Sequence, residues 1–106
     1  MTTLLKASKD QMQGWRRHLH QHPETEFDVF DTAAFVIQKL TEFGLVVHEG
    51  IGRIGIVGQL TKGTSTKAIG LRADMDALAI QELNDFAHKS LNEGHMHACG
   101  HDGHTS

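Results

Sequence analysis

The 106-residue sequence has no tyrosine, one tryptophan, one cysteine and no apolar run near the ~18–20 residues that cross a bilayer. A single cysteine excludes an intrachain disulfide and points to a reducing, cytoplasmic setting. The opening stretch, MTTLLKASKD, lacks both the long apolar segment and the small-residue cleavage site of a signal peptide. A formal charge of −3 lacks the basic excess of a nucleic-acid surface. Neither nucleic acid nor a membrane is therefore expected as a partner. Internal repeats and low-complexity linkers are missing as well. What remains is ordinary: 39% apolar residues and eleven glycines place the chain among soluble globular domains, not among disordered or collagen-like ones. The length suits one domain with a modest core.

Against this background, histidine is abundant. There are nine, and five of them (His88, His95, His97, His101, His104) crowd the last nineteen residues around the lone cysteine.

The hydrophobic pattern predicts a first helix over about Ser8 to His22, with Ser8 as N-cap, Gln11 as its capping-box partner, an apolar stripe of Met12, Trp15 and Leu19, and Pro23 as the stop. A second helix is predicted from Asp28 or Asp31 to Phe43. Phe30, Ala33, Ala34, Ile37 and Leu40 keep a 3.6-residue period there, and Gly44 stands where a C′ glycine belongs. Short β-branched runs then predict strands at Leu45–Val47 and Ile54–Leu60, joined by a turn near Glu49–Arg53. Ala68–Arg72 reads as a third strand, apolar enough for a sheet interior. Two helices followed by strands make an α/β domain. Residues 77–100 show neither period and read as a long loop of functional kind. At the end, HDGHTS reads as a first helical turn with no body, which predicts that the chain is part of a longer one.

The chemistry concentrates at His95-Met96-His97-Ala98-Cys99-Gly100-His101-Asp102-Gly103-His104. A thiolate and an imidazole two residues apart can reach one metal ion from a bent loop, and Gly100 permits the bend. That pair suits zinc and its neighbours better than magnesium or calcium. The spacing is not that of a zinc finger, since a second pair is missing. A polar surface loop and a Cys–His nucleophile pair are the competing readings. A second feature is Leu71-Arg72-Ala73-Asp74-Met75-Asp76, two alternating carboxylates at the end of an apolar strand. They could bind metal, orient a histidine or form an acid–base pair, or else cap the following turn. A third is Arg16-Arg17-His18-Leu19-His20-Gln21-His22-Pro23-Glu24. His18 and His22 share a helix face, but the glutamate of an HExxH site is missing, and a polar face at a helix C-terminus is the simpler reading.

Taken together and in this order, Arg17-His18-Leu19-His20…Pro23-Glu24, Leu71–Leu78 and Met96–His104 resemble the M20 metallopeptidase family. Within it they are most similar to the branch of hippurate hydrolases, N-acyl-L-amino-acid amidohydrolases and auxin-conjugate hydrolases. The resemblance runs from about Gln11 to Ser106. One departure is Ala79, where the family usually has proline after Asp-Ala-Leu.

The resemblance implies a fold and a chemistry. Residues 1–106 would be the N-terminal portion of a zinc-peptidase-like α/β catalytic domain, two helices followed by strands of a mixed sheet. The rest of that domain, and a lid that mediates dimerisation, would lie outside the chain. The complete enzyme would be a cytoplasmic homodimer or higher oligomer. It would hold two divalent ions (manganese, zinc, cobalt or nickel) and hydrolyse N-acyl amino acids. Cys99 and His101 would be metal ligands. Asp76 would orient a ligand, and Asp74, His97, Asp102 and His104 would support the site or face substrate. The general base and the remaining ligands would lie downstream, so the 106 residues alone would be inactive. The alternative is a small metal-binding or interaction module without catalysis.

Overall fold

A computed structural model describes residues 2–106. In chain order the elements are α1 (Thr2–Gln21), α2 (Phe30–Glu42), β1 (Val46–Ile51), β2 (Gly55–Gln59) and α3 (His101–Thr105).

Helix α1 begins at Thr2 instead of at Ser8. The residues before Ser8 include leucine, lysine and alanine, all good helix formers, and an internal serine costs a helix little. Propagation therefore carries through the position that resembles a cap. The extra turns project outward, with Leu4 72% exposed. The far end behaves as predicted, and Pro23, beyond it, is fully buried.

Helix α2 matches its prediction to within a few residues. The residue before it, Val29, supplies no side-chain cap. Glu24 does so from a distance: its carboxylate accepts the Thr32 amide and hydroxyl at 2.6 Å each and the Asp31 amide at 3.2 Å. The helix ends in a paired closure, Gly44 N–H to Thr41 O and Leu45 N–H to Leu40 O. Gly44 sits at φ +80°, a left-handed conformation that glycine adopts without strain. Of the apolar stripe, only Ala33 is buried. Phe30 remains 63% exposed.

Strands β1 and β2 form an antiparallel hairpin, Val46 opposite Gln59 and Val47 opposite Gly58, with an irregularity between His48 and Ile51. Arg53 at the hairpin tip stacks its guanidinium over Phe27, 4.6 Å from the ring centre. The hairpin packs against α2.

The predicted third strand does not form. Residues 68–72 are irregular, with Ile69 and Leu71 exposed by 91% and 96%. Their composition favours a strand, but a strand also needs a ladder partner, and among the described residues neither β1 nor β2 pairs with this segment. The sheet of the described residues is accordingly two-stranded and antiparallel.

Residues 77–100 are irregular, as expected, yet well tied down. Ala77 donates to Glu24 O, Leu78 and Met96 exchange backbone hydrogen bonds, and Leu91 donates to Gln21 O. Asn92 reaches Pro23 O through its side-chain amide. The loop thereby wraps the C-terminal end of α1. The apolar core (Leu19, Val29, Ala33, Ala77) lies at this junction, beside five buried polar residues: His20, Thr32, Glu82, His97 and Asp102. No helix among the described residues is long and apolar enough to cross a membrane.

Candidate metal centre

The segment from Asp74 to Asp76 runs beside α3, and Thr105 anchors it by donating to Asp74 O at 2.7 Å. Helix α3 starts after Gly100, whose φ of +89° turns the chain sharply between Cys99 and His101. That is the bend the sequence predicts at this glycine.

His101 is held by its Nδ1, which lies 2.8 Å from the Asp76 carbonyl and 3.1 Å from Asp76 Oδ1. Both partners are acceptors, so Nδ1 donates to them. Nε2 faces Asp74 Oδ2 at 3.4 Å. A carboxylate oxygen and an unprotonated imidazole nitrogen repel unless a proton or a cation lies between them. The His104 ring stacks on His101 at 5.5 Å. Asp74, His101 and His104 each offer one donor atom, all within 4.8 Å of one another. Imidazole and carboxylate donors of this kind fit zinc and its neighbours. Arg72 offsets part of the negative charge, its guanidinium 2.6 Å from Asp74 Oδ1.

Of the residues singled out in the sequence, the structure brings Asp74, Asp76, His101 and His104 together. Cys99 is an exposed free thiol and stands outside that group. His97 is 4% exposed, and neither ring nitrogen has a partner. Burial holds its imidazole below the usual histidine range, against an opposing pull from the Asp102 charge. His18 and His22 form no part of the centre. His22 Nδ1 donates to His18 O at 2.7 Å, and the His18 ring stacks on Phe35 at 4.6 Å.

Asp102 belongs to a separate buried network that sequence reasoning did not find. His20 places Nδ1 2.9 Å from Asp102 Oδ2 and Nε2 2.5 Å from Glu82 Oε1. Glu82 Oε2 also accepts the Ser90 amide, and Asp102 Oδ1 the Gly103 amide. Arg16, one turn before His20, brings its Nε within 3.5 Å of Asp102 Oδ2. The i, i+4 spacing of Arg16 and His20 next to the buried Leu19 was an available signal. Glu82 had none, since it lies in an aperiodic loop.

Comparison with known proteins follows the same segments. Residues 70–106 match the Peptidase family M20/M25/M40. The chain is 57% identical over 91 residues to a hippurate hydrolase of Campylobacter jejuni, covering 86% of this chain and 24% of that protein. It is 44% identical over 103 residues to an N-acyl-L-amino acid amidohydrolase of Geobacillus stearothermophilus, covering 97% and 28%. Among solved structures, it superposes on a dinuclear metal-binding peptidase from the M20 family of Bacillus subtilis with a TM-score of 0.88 at 35% identity, covering 94% of this chain and 28% of that one. The chain thus spans about a quarter of the length of the curated relatives it matches.

Proposed function

Since the chain belongs to peptidase family M20/M25/M40, we propose that it is the N-terminal part of the catalytic domain of a metal-dependent amidohydrolase that cleaves N-acyl amino acids. The observation that carries this reading is the presentation of His101: Nδ1 tied to the Asp76 backbone and carboxylate, Nε2 directed at Asp74 Oδ2. Hydrogen bonding to the far nitrogen is how proteins orient an imidazole ligand and raise its basicity.

In this reading Cys99 and His101 are metal ligands, presented on either side of the Gly100 bend. Asp76 holds His101 in the tautomer that leaves Nε2 available. Asp74 supplies negative charge on the same side, and His104 packs against the ligand ring. The chemistry that divalent ions supply when bound here is polarisation of an amide carbonyl and activation of water. The general base, the other ligands and a lid that mediates dimerisation lie outside these 106 residues, which alone have no turnover.

The test is Cys99→Ser in the complete protein, assayed for metal content and for hydrolysis of N-benzoylglycine. Loss of a protein ligand should exceed the ~10–100-fold effect of losing an outer hydrogen-bond partner, so turnover should fall about 100-fold or more. Metal content should drop at one site. Full metal content with full turnover would remove Cys99 from the site.

A further inference from the structure

The network under α3 contains more than packing requires. Its three members are 2–8% exposed, and they join parts of the chain that are 62 and 82 residues apart in sequence. Both ring nitrogens of His20 face carboxylate oxygens, which only accept. The ring thus bridges the two carboxylates, and the Arg16 guanidinium lies against the Asp102 end. Buried charge is tolerated when it is paired and hydrogen-bonded in this way.

The two arms of His20 do different things. The Glu82 arm closes onto the irregular loop, where Glu82 also takes the Ser90 amide. The Asp102 arm closes onto the first turn of α3, where Asp102 is adjacent in sequence to His101 and takes the Gly103 amide. His101 opens the first turn of α3, where backbone N–H groups have no intrahelical partner. Its register against the Asp76 carbonyl, 2.8 Å from His101 Nδ1, depends on external anchors. On the ring's side these are His20 and Arg16. At the helix end Thr105 grips Asp74 O.

From this geometry we infer that His20 is a positioning residue for the metal centre, acting through Nδ1 and Asp102 to set where His101 presents its Nε2. The inference rests on the reading of Cys99 and His101 as ligands. It separates His20's positioning arm from its structural arm, and the two can be removed one at a time. Asparagine places its amide nitrogen near the position of histidine Nδ1, while glutamine places its own near Nε2. His20→Asn therefore keeps the Asp102 contact and gives up Glu82. His20→Gln does the reverse.

The experiment measures Co2+ affinity and the sulfur-to-cobalt charge-transfer absorption of the complete protein, wild type and both variants, after circular dichroism has shown each to be folded. His20→Gln should weaken Co2+ binding about tenfold or more, the scale of losing an outer partner of a ligand, while His20→Asn should stay within about threefold of wild type. A purely structural role would lower the melting temperature without separating the two affinities. Equal affinities in the two variants, whether both retained or both reduced, would overturn the role of His20 and leave the ligand assignment standing. A wild type with no charge-transfer absorption would overturn the Cys99 assignment and the inference with it. Should the His20 variants fail to fold, Asp102→Ala removes the other end of the same contact. An unchanged Co2+ affinity in that variant would overturn the role just as directly.

Discussion

At the scale of the residue, the chain's histidines divide by what their nitrogens meet. His101 has one nitrogen tied to Asp76 and the other facing Asp74, His20 has both tied to carboxylates, and His97 has both buried without a partner. Sequence spacing could not separate these cases, because all three belong to histidine-rich stretches. The partners that distinguish them come from elsewhere in the chain. His18 is a fourth case. Burial against Phe35, then the neighbouring charges of His22 and Lys39, lower its pKa from 6.5. The folded chain therefore binds fewer protons there than the unfolded chain. The stability this residue contributes is complete above the unfolded value and is lost as pH falls through the lower folded one. Proton NMR of the His18 ring should give a midpoint below 6.5, and Lys39→Met should move it upward. A midpoint at or above 6.5 would contradict the packing described for this face.

At the scale of the element, local signals were readable and pairing was not. The period of α2 and its closing glycine and the bend at Gly100 depend on neighbouring residues and are legible; the turn expected near Glu49–Arg53 is shorter than that, because β1 extends past Val47 to Ile51 by pairing with β2. Ala68–Arg72 has strand composition, but strand formation depends on a partner that composition does not specify. The start of α1 was misplaced because Ser8 has a capping side chain in a run that needs no cap. The cap of α2 was invisible for the opposite reason: Glu24 lies several residues before the helix and reaches it only through the turn after Pro23. Glu24→Ala should therefore destabilise the fold by about 0.5–2 kcal/mol, the usual worth of an N-cap side chain. Denaturant unfolding measures this directly. An unchanged midpoint with an unchanged slope would show that the α2 amides do not depend on Glu24.

At the scale of the whole molecule, the described chain is open. Its radius of gyration is 15.2 Å. A compact domain of this length would have about 13 Å. Its accessible surface is 7925 Å². A folded monomer of this mass would expose roughly 5,900 Å². Large apolar side chains contribute to it, with Leu60, Ile69, Leu71 and Leu83 all more than half exposed. The curated relatives it matches are about four times as long, and the matching segments make up about a quarter of them. The candidate centre is legible to the same extent. The chain presents His101 on a well-anchored bend, with Asp76 behind it and Cys99 on the far side of the glycine. Whether Cys99 and His101 share a metal ion is the central claim, and X-ray absorption at the metal edge of the loaded, complete protein tests it most directly. The account predicts one sulfur scatterer at about 2.3 Å alongside nitrogen and oxygen, lost in Cys99→Ser. A wild-type shell of nitrogen and oxygen alone would contradict it.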